Sequence, residues 1–289
     1  MKQILIAGCG DIALRVARLL KTRCRLYGLA RRVEHFAGLR AAGIIPVPGD
    51  LDDIRSLSRI AGLADAILHF APPAAESAGD TRTRNLLAAL SHGRLPKRLI
   101  YISTSGVYGD CGGALVSETH PLHPQTARAQ LRMDAEQKIR AWANRNHVNA
   151  SILRAPGIYA ADRLPQERLR AGAPAITHEE DSHTSHIHAD DLARIVVAAM
   201  RHARPNRVYH ASDDSKMKMG DYFDAVADAC DLPRPPRLPR AEAAHSVSPM
   251  LWSFMNESRR LANKRMKKEL KVRLRYPTVA DALASSKKT

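Results

Sequence analysis

The sequence predicts an α/β fold, a doubly wound parallel sheet followed by a smaller and irregular C-terminal lobe. Three observations carry this expectation. Over the first 154 residues, short apolar runs alternate with segments of helical length and helical spacing. A glycine-rich turn lies between the first apolar run and the first helical segment. After Arg154 the alternation weakens and prolines become more frequent. With 289 residues, 45% of them hydrophobic, the chain can bury the core of one large α/β domain, with or without an appendage.

Residues 4–7 (Ile-Leu-Ile-Ala) read as the first strand. Residues 11–22 follow as a helix, with Ile12, Val16, Leu19 and Leu20 at helical spacing. Residues 26–29 and 44–47 read as the second and third strands, residues 66–70 and 99–103 as the next two, and residues 150–153 as a sixth. Such repeated strand–helix–strand units imply a parallel sheet with helices on both faces. This assigns residues 1–154 to a nucleotide-binding domain and 155–289 to a smaller substrate lobe, with 189–204 a helix returning to the first domain. Residues 162–188 and 232–249 read as long loops. Ligands in such folds lie beyond the carboxyl ends of the strands, so the lobe would complete the site.

Gly8, Gly10 and Ala13 spell G-x-G-x-x-A directly between a strand and an amphipathic helix, the position of a Rossmann dinucleotide loop. The first glycine makes the tight turn and the second lets backbone approach phosphate. The small third residue lets helix pack on strand. The helix then aims its first N–H groups, those around Asp11 and Ile12, at a pyrophosphate. An NAD site places an acid about 20 residues further on to bind the ribose 2′-hydroxyl. Here the second strand runs out as Leu29-Ala30-Arg31-Arg32, with no acid before Glu34. Guanidinium forks match a 2′-phosphate, so the expected cofactor is NADP, with NAD the lesser alternative.

Composition narrows the remaining classes. No apolar run approaches the ~18 residues of a membrane-spanning helix, which predicts a soluble protein. Ile6-Ala7-Gly8-Cys9 loosely resembles a lipoprotein cleavage site, but a signal needs roughly 7–15 apolar residues ahead of it. The four cysteines form no C-x-x-C pair, a pattern that suits a reducing cytoplasm and argues against zinc. His178-Glu179-Glu180-Asp181, with His183, His186 and His188, is the one stretch that invites a metal, yet it lacks the i, i+4 pair of a helical site. No metal is expected. The net charge of +16 favours anionic ligands, including nucleic acid. With aromatics at 4%, base-stacking platforms are scarce, and a solvated basic surface is the preferred reading. The densest basic run, residues 259–275, carries Leu261, Met266 and Leu270 and reads as a surface helix with one apolar face.

Further motifs then form a set. Gly49-Asp50-Leu51 follows the third strand, and His69-Phe70-Ala71-Pro72-Pro73 ends the fourth. Ser103-Thr104-Ser105-Gly106-Val107-Tyr108-Gly109 ends the fifth. Arg154-Ala155-Pro156-Gly157-Ile158-Tyr159 and Ile187-His188-Ala189-Asp190-Asp191-Leu192-Ala193 come later. Over nearly its whole length the chain resembles the extended short-chain dehydrogenase/reductases, and in particular bacterial NAD(P)-dependent epimerase/dehydratase-like proteins. The resemblance implies that Asp50 and Leu51 contact adenine, and that Phe70, Ala71 and Pro72 run along the cofactor. It likewise places Ser103, Ala155, Gly157 and Ile158 beside the dinucleotide, and sets Asp190 to cap the helix that follows. A small anionic substrate, such as a nucleotide-sugar, is the expected partner. The oligomeric state stays open, a homodimer included.

Chemistry in that superfamily uses a Ser or Thr hydroxyl, a Tyr and a Lys four residues after the Tyr. Thr104 matches the first. The other two slots, counted back from Ala135-Glu136, hold Arg128 and Arg132, and no Y-x-x-x-K occurs anywhere in the chain. Arg132 can serve ribose or phosphate as a fixed cation, but arginine is a poor proton donor. Tyr108, Tyr159 and His188 are the candidate replacements. Two readings follow: an oxidoreductase or epimerase whose catalysis rests on Thr104, Tyr108 and Arg132, or a dinucleotide-binding sensor that has lost its proton relay.

Overall fold

A computed structural model describes residues 1–74 and 78–286. All seven strands of the central sheet run parallel. They are β1 (Lys2–Ala7), β2 (Cys24–Ala30), β3 (Ile44–Pro48), β4 (Ala66–His69), β5 (Arg98–Thr104), β6 (Asn149–Ala155) and β7 (Arg207–His210), in the order β7-β6-β5-β4-β1-β2-β3. The winding reverses between β1 and β4, where a crevice opens at the strands' carboxyl ends.

Alternation along β1 shows why this sequence makes a two-sided sheet. Ile4 and Ile6 join one buried cluster while Leu5 and Ala7 join the other. The first cluster includes Val16, Ala17 and Leu20 of helix α1 (Asp11–Leu20), packed with Leu192, Ile195 and Val196 of a helix α5 (Ala189–His202). The second holds Leu86 and Leu90 of α3 (Thr81–Leu90) and Ile139 and Trp142 of α4 (Ala127–Arg145). Helix α2 (Phe36–Ala41) lies beside β3. The six strands expected from apolar runs are all present, and the α/β doubly wound class holds.

Four details differ from expectation. The seventh strand, Arg-Val-Tyr-His, has charged or polar ends and shows no apolar run. Asp190 does not cap α5. The N-cap is His188, whose Nδ1 accepts the Asp190 N–H at 3.2 Å, while the Asp190 carboxylate reaches Arg15. The run 259–275 is not one helix. Leu261 sits in a two-residue strand paired with Val116, and only Lys264–Leu270 is helical, ending at Lys271 in the left-handed region. Its Met266 and Leu270 are buried in the first cluster, so that helix is anchored to the sheet. Finally, residues 162–188 and 232–249 are not plain loops. They are broken by a short helix (Gln166–Arg170), a second (Arg240–Ser246) and several two- or three-residue pairings, among them Arg237–Leu238 with Ala175–Ile176.

Candidate functional site

At the end of β1 the chain turns through Gly8, whose φ of +102° strains any other L residue. Both the Phe70 and Ala71 N–H groups donate to the Ala7 carbonyl, at 2.7 and 2.9 Å. That contact draws the post-β4 segment so close that a Cβ on Gly8 would stand 2.3 Å from the Ala71 nitrogen. Gly10 is different. It is the N-cap of α1 and supplies no capping side chain, and a Cβ there would meet nothing within 4 Å. There is therefore open space beside Gly10 at the start of α1, and Ala13 packs inward at 1% exposure. These features fit a dinucleotide pyrophosphate: backbone donors aimed outward, a positive helix end, and room where a side chain would intrude.

The residues expected beside adenosine lie at the neighbouring strand ends. Arg31 and Arg32 are exposed just past β2, and Arg31 joins Cys9, Leu29, Glu34 and Leu39 around a shallow groove. Asp50 holds its own loop, its carboxylate accepting the Asp52 N–H at 3.0 Å. The Leu51 carbonyl is pinned by the buried Asn85 amide at 2.8 Å, a contact the sequence did not announce. Pro72 is exposed, and its carbonyl accepts from Arg82, which also grips Asp52 through two nitrogens.

Beyond β5 and β6 lies a cavity of about 310 Å³. Of the residues expected at the site, Thr104, Gly157, Ile158, Arg128 and Tyr159 line it. Thr104 Oγ1 accepts the Gly106 N–H at 3.1 Å, which leaves its own O–H proton for another acceptor. Ala155 is buried beside Thr104 in register, and the Ser103 hydroxyl is buried without a partner. Arg132 is not among the lining residues. It donates to Tyr101 Oη at 3.0 Å and to the Ile102 carbonyl at 2.9 Å, fixed against β5. Tyr108 also stands apart. Its hydroxyl meets His210 Nε2 and Arg154 Nη1, both at 2.6 Å, in a buried network that includes the two-nitrogen Arg154–Glu136 pair.

The cavity is cationic and aromatic. Arg128 lies over the Phe254 ring at 4.2 Å, and Arg168 lies over Phe223 at 3.7 Å. Burial pushes the Arg168 guanidinium down to about 10. Arg163 lines the same cavity and also reaches the cofactor loop, donating to Asp11 Oδ2 at 2.9 Å. Arg15 pairs with Asp11 inside α1 and reaches Asp162 and Asp190, and with Arg163–Asp11 this makes three ion pairs that tie the second lobe to α1. Burial opposes ionisation of Asp11, but Arg163 and Arg15 hold its carboxyl below the ordinary range.

The histidines expected near the site do different work. His186 is buried, stacks on Tyr222 at 4.2 Å, and is pushed down to about 3 by desolvation. His188 packs edge-on against Tyr159. His178 pairs with Asp221 at 3.5 Å. Among the described residues, no group of three or more His, Cys, Asp or Glu side chains is placed to hold a metal. Nor is any helix among them long and apolar enough to cross a membrane.

Behind Tyr159 sits Asp213, which accepts the Ser215 N–H at 3.0 Å through Oδ1 and leaves Oδ2 buried without a partner. Desolvation pushes this carboxyl up to about 7. The folded chain therefore keeps a proton that the unfolded chain releases, and this group's contribution to stability is lost as pH rises from about 4 to about 7. Asp213→Asn removes that loss. The variant is expected to gain up to about 4 kcal/mol over the unmodified chain at pH 8 and little at pH 4. Urea unfolding at the two pH values measures it, and an equal difference at both would contradict the assignment.

Residues 4–212 match the model of the NAD dependent epimerase/dehydratase family. Over 213 residues the chain is 27% identical to the dTDP-glucose 4,6-dehydratase of Mycobacterium tuberculosis, an alignment covering 65% of this chain and 62% of that protein. The chain thus spans less than two thirds of that relative's length. Its backbone superposes on a functionally unknown conserved protein from Silicibacter pomeroyi with a TM-score of 0.81 and 29% identity, covering 99% of this chain and 98% of the other. A dTDP-glucose 4,6-dehydratase from Streptomyces venezuelae, solved with NAD bound, superposes with a TM-score of 0.79 at 18% identity, covering 100% and 98% of the two chains.

Proposed function

The chain belongs to the NAD dependent epimerase/dehydratase family, and on that footing we propose that it is an NADP-dependent oxidoreductase or epimerase acting on a small anionic substrate of the nucleotide-sugar type. One observation carries the reading. A cavity lined by Thr104 and four arginines lies past the carboxyl ends of the strands, and Arg163 links it to a glycine loop open to pyrophosphate. When bound, the dinucleotide supplies the hydride acceptor or donor. The chain's own residues bind and orient. Gly8, Gly10 and the N–H groups of Asp11 and Ile12 hold the pyrophosphate. Asp50, Leu51, Phe70, Ala71 and Pro72 border the adenosine, while Ser103, Ala155, Gly157, Ile158 and Arg132 border the nicotinamide riboside. Thr104 donates a hydrogen bond to the reacting oxygen. The arginines of the cavity favour an anionic substrate by charge.

The preference for NADP rests on Arg31 and Arg32, exposed where a 2′-phosphate would lie. Arg31→Ala and Arg32→Ala together are expected to weaken NADPH binding at least about tenfold, or about 1.4 kcal/mol, and to leave NADH binding nearly unchanged. Calorimetric titration with both nucleotides decides it: tighter NADH binding to the unmodified chain, or an unmoved NADPH affinity in the variant, removes the preference. The four cysteines are unpaired, which supports a reducing cytoplasmic setting.

A second reading, a dinucleotide-binding sensor without turnover, draws on a specific observation. Arg128 and Arg132 fill the slots of the tyrosine and lysine, and Tyr108 is held in a buried network away from the cavity. Tight NADPH binding with no nucleotide-sugar turnover would favour it.

A further inference from the structure

Within the cavity, arginines outnumber every other charged group, and one side chain does not belong to that pattern. Glu257 is the only carboxylate among the described lining residues. It lies just after the short helix Pro249–Met255, in the second lobe, and its side chain is 7% exposed. Oε2 accepts from Arg259 Nη1 at 2.6 Å, while Oε1 is buried and has no hydrogen-bond partner. Arg259 is itself fixed, since the same nitrogen donates to the Gly109 carbonyl at 2.8 Å. A buried carboxylate oxygen without a partner is costly to keep, which marks it as a position where a donor arrives from elsewhere.

Its neighbour sharpens the point. Arg128 occupies the slot where the family's tyrosine stands, and burial lowers its pKa while the Glu257 carboxylate is the foremost charge acting the other way. The charged and titratable groups around Glu257 are thus Arg259 from its own segment, Arg128 from α4, and Cys111 from the loop after β5. The cavity's other proton carriers are poorly suited. Burial raises the Tyr159 and Tyr222 hydroxyls well above their ordinary value and lowers both His183 and His186. Arginine keeps its proton.

Resting on the proposed function, we propose that Glu257 is the catalytic acid–base that stands in for the absent tyrosine, with Thr104 steadying the reacting oxygen. With an oxidised nicotinamide bound, the cofactor would accept the hydride from the substrate's carbinol carbon, and Glu257 Oε1 would take the O–H proton as the carbon–oxygen bond becomes a carbonyl. In the reductive direction Glu257 returns the proton as a carboxylic acid. Arg259, bonded to the other oxygen, is a positioning residue that aims Oε1.

The test uses the full chain with NADP and dTDP-glucose as the probe. Glu257→Gln is nearly isosteric, and it is expected to lower kcat by about 10²–10⁴-fold while KM changes little, with Glu257→Asp recovering part of the loss. Infrared difference spectra on adding dTDP-glucose are expected to show a shifted carboxylate band that Glu257→Gln lacks. If dTDP-glucose binds but no such band moves, or if Glu257→Gln turns over as the unmodified chain does, the assignment of Glu257 fails and the proposed function stands. If the unmodified chain binds no dTDP-glucose, the substrate class fails and the assignment falls with it.

Discussion

Glu136→Ala is expected to destabilise the protein by about 3–5 kcal/mol. Arg154 and Glu136 form a two-nitrogen pair at 3.0 and 2.6 Å, and their side chains are only 4% and 2% exposed. Removing the carboxylate leaves a guanidinium in the interior with only the Tyr108 hydroxyl and the Glu118 carbonyl to answer it. Desolvation of that charge is then uncompensated. The companion variant is informative: Glu136→Ala combined with Arg154→Met removes both charges and is expected to lose less stability than Glu136→Ala alone. Urea midpoints at pH 7, with the slope unchanged, measure both. If the single and double variants lose equally, the pair is not the source. The network also fixes Tyr108, which is why that hydroxyl is a structural member here.

Gly8 and Gly10 are expected to separate folding from cofactor binding. Gly8→Ala puts a Cβ 2.3 Å from the Ala71 nitrogen at a φ of +102°, so backbone must move and the chain should lose stability by several kcal/mol. Gly10→Ala meets no protein atom within 4 Å, and the Gly10 φ of −86° is ordinary for alanine. That variant should melt within a few degrees of the unmodified chain. It should nevertheless bind NADPH at least about a hundredfold more weakly, roughly 2.7 kcal/mol, because its methyl group would enter the space proposed for the pyrophosphate. Thermal unfolding and nucleotide titration read the two effects separately. Full NADPH affinity in Gly10→Ala would place the pyrophosphate elsewhere.

What was legible in the sequence follows from what is local. β1, β4, β5 and β6 are buried on both faces along most of their length, so each announces itself by composition alone, while the edge strand β3 leaves Ile45 exposed and shows only as a short apolar run. β7 lies at the sheet edge, with Arg207 paired to Glu269 and His210 bound to Tyr108, and its identity depends on partners far along the chain. The glycine loop was readable because the strained turn at Gly8, the bare Gly10 and the small, inward-packed Ala13 all fall within six residues. The cavity was not, since its walls come from the end of β5, the start of α4, residues 156–186, residues 219–223 and residues 251–261, and no short window contains them. Glu257 therefore had no local signal. The cap of α5 was misplaced for a smaller reason: both His188 and Asp190 can accept an N–H, and only the geometry shows that Asp190 is already taken by Arg15.

The late position of β7 has a consequence for how the chain is made. During synthesis β1 to β6 leave the ribosome first, yet β6 stays an open edge until Arg207 emerges and the last strand can dock on it. The chain from 156 to 206 emerges while the sheet is still unfinished, although α5 can already pack its apolar face on α1. An exposed parallel edge is a template for pairing with another chain, so the nascent protein is most vulnerable to aggregation in that interval. A fragment ending at Arg154 would be arrested there permanently. The two lobes can be told apart by eye but were never separable pieces, because the strand that seals the first arrives only after much of the second.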